Sequence, residues 1–513
     1  MTIQQIRLDL LCNARPALCL TAIGLVLAGC AVGPNYSRPT VSAPAAFKEA
    51  DGWRQAAPAD TLDKGQWWTL FNDPVLNDLE ARVEVSNQNL KAAEASYRQA
   101  RALLDQQNAT LFPSVNLTGS ATRTKGAATG GGVSSGTTTT TVNGVTTTTT
   151  GTTTTSSPSV SRTTNQYTAR LGATWDVDVW GRIRRSIEAA RDNAEASQAD
   201  IANAKLSAQV LLAANYIQLR AADEQKRLID LTVKGYADNL RIAQNRYNVG
   251  VGARNDVLTA QTQLKTAQSQ AIDLVRTRSQ YEHAIAVLTG AAPADLTLTQ
   301  ATWTLVVPPV PVGVPSTLLE RRPDIAAAER AMAAANAQIG VQTAGYFPDL
   351  SLSGSDGFSS STLSKFFSAA NNSWSIGASI AQTIFDAGAT SARVRAARAA
   401  YDVNVANYRQ TVLTAFQQVE DNIAALRVLE AEYDLDLSAS QNADEAEKIV
   451  NNQYQAGQVD FTTVVVAQNT ALQARRNVIQ TAGARMVAEI DLISALGGGY
   501  HAGDPAPQNV AAK

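Results

Sequence analysis

The 513-residue sequence predicts an α+β membrane protein in which short strand hairpins sit between very long helices. Three observations predict it. The chain carries two copies of one unit. Four segments of about ten residues alternate apolar with small polar side chains. Two stretches, Arg182 to Asn248 and Ala389 to Tyr454, contain almost no helix breaker.

At the N-terminus, Arg7 and Arg15 flank Asp9, and Ala17 to Leu27 is apolar and uncharged. That run is too short to span a bilayer as a mature helix and reads as an export signal. It ends in Leu27-Ala28-Gly29-Cys30, which resembles the bacterial lipobox, so Cys30 is the expected lipid attachment site. Cys12 and Cys19 fall in the removed segment, and a mature chain starting at Cys30 then has no second thiol for an internal disulfide. Several acyl chains on one cysteine make a stable tether, and Ala31 in place of an aspartate after the anchor favours the outer membrane. Apart from this covalent lipid no cofactor is expected.

The repeat organises the rest. Asn89 to Ser120 lies on Asp324 to Ser355 at a spacing of 235, matching Phe112-Pro113 with Phe347-Pro348 and Gly119 with Gly354. Further on, Gly181 matches Gly388, Tyr247 matches Tyr454, Gly250 matches Gly457 and Gly290 matches Gly497 at a spacing of 207. The surplus in the first copy is Gly126 to Ser161, a Thr/Gly/Ser tract too polar to bury a core and expected as a mobile loop. It separates two expected strands, Pro113 to Thr122 and Gln166 to Trp175. The second copy repeats them around Leu350 to Gly354 and Trp374 to Ile380. Ten-residue alternating strands with Tyr167, Trp175 and Trp374 near their ends have the pattern of a transmembrane barrel, although a soluble hairpin with one wet face has the same alternation.

The long stretches read as helices of roughly 100 Å at about 1.5 Å per residue. A return path of matching length runs through Arg254 to Thr289, a Pro-rich detour, and Leu319 to Gly345. In the second copy Phe461 to Leu496 returns half the distance, and Pro74 to Thr110 is expected as the helix that completes it. Two hairpins give four strands, too few to close a barrel in lipid, so several copies must share one. Two copies give eight strands with a filled interior, and three give twelve with a lumen.

Catalytic chemistry lacks an inventory. His283 and His501 are the only histidines, Asp176 and Asp178 stand at a helix start where acidic residues are favourable, and Gly130-Gly131-Gly132 lies in the low-complexity tract. A net charge of −2 without a basic block argues against nucleic acid. No enzyme, metal or nucleic-acid partner is expected.

Five motifs then carry a resemblance. They are Trp67-Trp68-x-x-Phe71-x-Asp73-Pro74-x-Leu76, Trp175 to Arg184, Leu319 to Ile325 with Ala328-Glu329, Phe385-Asp386-x-Gly388, and Tyr247-x-x-Gly250 with its echo Tyr454-x-x-Gly457. With them the chain resembles the TolC-like outer-membrane factors, in the lipoprotein branch serving resistance-nodulation-division efflux pumps. The resemblance implies a homotrimer with a twelve-stranded outer-membrane β-barrel continuing into a long α-helical periplasmic tunnel. It also implies an equatorial belt from Leu62 to Phe71, Ala291 to Thr317 and the C-terminal tail. The implied partners are outer-membrane lipids, a periplasmic adaptor protein and an inner-membrane pump. Export of polypeptide in a type I secretion system, or a trimeric structural or adhesive lipoprotein, are the other readings.

On this reading residues 1–29 are the signal peptide, 30–73 the anchor and equatorial segment, and 74–290 the first repeat with a Thr-rich loop at 123–165. Residues 291–318 are the equatorial linker, 319–497 the second repeat and 498–513 the tail. The periplasmic tip and adaptor contact fall at Gly250, Gly252 and Gly457. The aperture candidates are Asp256, Asp460, Tyr247 and Tyr454, with Val466 standing where relatives often carry an acidic ring.

Overall fold

The computed structural model describes residues 31–40, 44, 46–50, 66–126, 134–142, 145–153, 162–302 and 322–498. Cys30 and the signal segment lie outside them, as do 62–65, 303–317 and nearly all of the tail, so the lipid anchor and most of the belt are not described. The chain divides into two compact units: Met1–Gly33 with Gln106–Arg185 and Gly340–Ala392, and Pro34–Asp105 with Ser186–Ile339 and Arg393–Lys513.

The elements, in order, are α1 (Pro74–Ser86), α2 (Gln88–Ala109), β1 (Ser114–Gly126), β2 (Ser134–Val142), β3 (Val145–Thr153), β4 (Arg162–Val177), α3 (Arg182–Asn248) and α4 (Arg254–Leu288). After them come α5 (Pro323–Ala344), β5 (Asp349–Ser360), β6 (Asn372–Ala381), α6 (Ala389–Gln455) and α7 (Phe461–Ala495). Helices α3 and α6 are each 67 residues long, and α4 and α7 are each 35. No described helix is long and apolar enough to cross a membrane.

The first unit is built on one antiparallel sheet of order β1-β4-β5-β6. Its register puts Val115, Leu117, Leu171, Trp175, Leu352, Trp374, Ile376 and Ile380 on one face, most of them exposed. The opposite face is a field of hydroxyls that pair across strands: Ser114 with Thr174 at 2.8 Å, Ser120 with Thr168 at 2.7 Å, Ser351 with Ser379 at 2.7 Å and Ser355 with Ser375 at 2.9 Å. Such cross-strand pairs fix register as well as adding stability.

Two expectations are corrected. The Thr tract is not structureless: β2 and β3 pair antiparallel from Ser134 opposite Thr153 to Val142 opposite Val145. Threonine is β-branched and suits an extended ladder even where it buries no core. The helix expected over Pro74 to Thr110 is broken at Asn87, which sits at φ −61°, ψ 125°. Its carboxamide oxygen accepts from Asn89 and Leu90 N–H, capping α2, and its amide donates to the Leu288 carbonyl at 2.8 Å.

In the second unit, Trp67, Trp68, Phe71, Leu76, Leu79, Tyr216, Tyr408, Val412, Ile423 and Ile490 join one buried core. Asp73 of the Trp67 motif caps α1 through Val75 and Leu76 N–H, and its other oxygen accepts from the Tyr216 hydroxyl at 2.6 Å. In the first unit Asp178 accepts from Ile183 and Arg184 N–H, and Asp386 accepts from Gly388 and Thr390 N–H. Asp178 is thus a helix cap, the alternative to catalysis that its position suggests.

Candidate functional site

The tip candidates come together in the second unit, where the α3–α4 and α6–α7 turns pack on each other. Each long helix ends in the same way. Val251 N–H donates to Arg246 C=O while Gly250 donates to Tyr247 C=O, and Gln458 donates to Gln453 C=O while Gly457 donates to Tyr454 C=O. This double closure needs a left-handed residue, met by Gly250 at φ 79° and Gly457 at φ 75°. Gly252 serves differently. Its φ is ordinary, but an added Cβ would lie 3.0 Å from Arg246 Cβ and Tyr247 N, so it allows the chain to pass close to the end of α3.

The turns are joined by Tyr454, Phe461, Val464, Ala243 and Ala260, with Val257 and Val459 packed around them. Arg246 lies over the Tyr454 ring at 4.7 Å and donates to the Tyr454 carbonyl at 3.0 Å. Burial raises the Tyr454 phenol pKa above its usual range, Arg246 opposes the shift, and Asp256 adds to it. Tyr454, 8% exposed, packs between the two turns. Tyr247, its counterpart in the first copy, is 45% exposed and free to face solvent. The copies differ because α3 carries Arg246 where α6 carries Gln453, so only one tyrosine is covered by a guanidinium.

Asp460 is exposed and caps α7, accepting from Thr463 N–H at 2.8 Å and from its hydroxyl at 2.6 Å. The Thr463 hydroxyl and N–H hold its carboxyl below the ordinary range. Asp256 is half-buried in the first turn of α4. Val466, 61% exposed, supplies no charge. Asp460→Ala should fray the start of α7, read as faster amide exchange over its first turn. Unchanged conductance and cation preference in the same variant would remove Asp460 from any aperture.

Sequence reasoning missed Arg246, and a signal for it existed: it is a charged position at which the two copies disagree. It also missed the buried polar residues of the second unit. Arg220 and Asp223 are almost fully buried, and Arg278 is nearly so. Glu80 and Glu489 are buried with carboxylate oxygens that have no hydrogen-bond partner among the described residues. No cluster of described His, Cys, Asp and Glu could hold a metal ion.

A family model described as outer membrane efflux protein matches residues 81–291 and 314–498. The toluene efflux pump outer membrane protein TtgC of Pseudomonas putida is 29% identical over 94% of this chain and 96% of its own. The cation efflux system protein CusC of Escherichia coli is 28% identical over 93% and 97%. Among solved structures, the outer-membrane channel OprN superposes with a TM-score of 0.79 at 30% identity, covering 92% of this chain and 99% of that one.

Proposed function

The chain belongs to the outer membrane efflux protein family, and from that premise we propose that three copies of it close a twelve-stranded barrel whose helices form a periplasmic tunnel. It is an outer-membrane exit duct of a tripartite efflux pump, a conduit and not an enzyme.

The observation that carries the trimeric barrel is the sheet. One face is apolar and exposed, the other is hydroxylated, and β1 and β6 stand at its two edges. In hydrocarbon each unpaired backbone group costs several kcal/mol, so four strands must close with others. Twelve leave a water-filled interior for the hydroxyl face and put the apolar face in lipid. The equal lengths of α3 and α6 and of α4 and α7 support an internal two-fold repeat, divided at the boundaries read from the sequence.

In this reading Cys30 carries the lipid and supplements an insertion the barrel already secures. The adaptor contacts the turns at Gly250, Gly252 and Gly457, with the inner-membrane pump beyond it. Tyr247, Tyr454, Asp256 and Asp460 are the groups nearest the aperture. Near-equal identity to relatives named for toluene and for cations argues that this duct does not choose the cargo.

Purified protein in a planar bilayer should give discrete conductance steps, and an impermeable protein would sink the duct. Deleting the gene should sensitise cells to several toxic small molecules. Unchanged susceptibility with loss of a secreted protein would transfer the assignment to type I secretion.

A further inference from the structure

The apolar face of the sheet changes character toward the end farthest from the helices. Along β1 its side chains run Val115, Leu117, Gly119, Ala121, then Arg123 and Lys125. Tyr167 of β4 stands opposite Ala121, with Asn165 and Thr163 opposite the two cations. Further across, Phe358 of β5 stands opposite Asn372. The turn after β5 folds back onto Phe358, whose ring centre is 6.2 Å from that of Phe366 and 5.4 Å from that of Phe367. That turn also presents Lys365, exposed, beside Leu363 and Phe367 at 69% and 79% exposure.

The order along the face is therefore apolar, aromatic, cationic. Arg123 and Lys125 are exposed, and among the described residues neither their side chains nor that of Lys365 meets an acid. Asp356, the one acid among the described residues of this face, lies three rows from Arg123 and takes the Asn372 amide at 3.0 Å. Two cations on one strand face repel unless an anion lies between them. We propose that this rim binds a lipid whose headgroup carries two phosphates, with its chains on the aromatic and apolar rows.

The site rests on the shared-barrel reading, which sets this face in lipid and this end at the outer surface. Two phosphates are needed because the cations stand in two places, at the end of β1 and on the turn after β5, with β4 between them. Strands two apart are separated by about 10 Å, more than one phosphate group spans. Arg123 suits one phosphate through its fork of donors, and Lys365 suits the other as a point charge. Tyr167, Phe358 and Phe367 lie between the charged and the apolar rows, where aromatic rings meet the junction of headgroup and chain. Inorganic phosphate would meet the cations and leave Phe367 and Leu363 uncovered.

The test titrates the full chain, purified in detergent, with a bisphosphorylated glucosamine-disaccharide lipid and counts bound lipid by native mass spectrometry. The protein should hold this lipid at concentrations where a phosphatidylethanolamine does not bind. Arg123→Ala with Lys125→Ala should lower occupancy by about fivefold or more. Lys365→Ala should bring it down to the level of the monophosphorylated form of the same lipid. Arg170→Ala removes an exposed cation from the opposite face of the same sheet and should change nothing. Equal occupancy by the two phosphorylated forms, an equal loss in Arg170→Ala, or displacement of the lipid by millimolar inorganic phosphate overturns the site. Conductance in a planar bilayer separates the failures: no bound lipid with conductance steps intact overturns the rim alone, and loss of both overturns the barrel with it.

Discussion

Asp223→Ala should be the most damaging single change in the helical unit, lowering stability by about 3–5 kcal/mol. Asp223 is buried between two guanidiniums, Arg278 Nε at 2.7 Å from one carboxylate oxygen and Arg220 Nη1 at 3.1 Å from the other. Removing the carboxylate leaves the almost fully buried Arg220 without an acidic partner and Arg278 with Glu282 alone, at 3.1 Å, which is worse than losing an ion pair at a surface. The same arginines hold the segment after α4. Arg220 donates to the Thr299 carbonyl at 2.9 Å, Arg278 donates to the Leu298 carbonyl, and Glu282 accepts from Leu298 N–H at 2.6 Å. The variant should therefore lose denaturant resistance and also gain protease cleavage between 296 and 302. An unchanged midpoint with an intact segment would mean that the network contributes nothing net.

Glu80→Gln should do the reverse, raising stability at neutral pH by about 2–3 kcal/mol. Burial, reinforced by the charge of Glu84, pushes the Glu80 carboxyl up to about 9, and neither oxygen has a hydrogen-bond partner among the described residues. An unfolded glutamate titrates at 4.5. Between these values the folded protein holds a proton that the unfolded chain has released, so stability is full below the lower value and falls as pH rises toward the upper one. Glutamine keeps the shape and removes the titration. Thermal midpoints from pH 5 to 9 should slope downward in the parent and more gently in the variant. Glu489, raised to about 8 by burial against the opposing effect of Arg485, keeps some slope in both. Parallel slopes would show that Glu80 ionises freely in the folded state.

The long helices were legible because their limits are set locally. Arg182–Asn248 begins after a glycine and runs without proline to a left-handed glycine, and the structure ends it at the predicted residue. Strand faces were equally legible, since alternation in β1 and β6 states which side chains share a face before any partner is known. The break at Asn87 was not, because asparagine is tolerated within helices and the group that fixes it here, the Leu288 carbonyl, is 201 residues away. The Thr tract misled because absence of apolar residues excludes a core but not a ladder. The unequal burial of Tyr454 and Tyr247 was not legible from the repeat alone, because one substitution beside them, arginine in one copy and glutamine in the other, gives the pair different surroundings. Glu80 looks like any helix-surface glutamate in sequence, and only the packing of α1 shows it to be enclosed.

The paired hydroxyls on one face of the sheet bear on traffic. Ser120 with Thr168 and Ser355 with Ser375 share one hydrogen bond each, which leaves further hydroxyl sites on that face, beside the exposed Asn116 and Arg170, for water to occupy. If the proposed barrel closes with this face inward, its lining is water held on hydroxyls, a surface without a built preference for one class of solute.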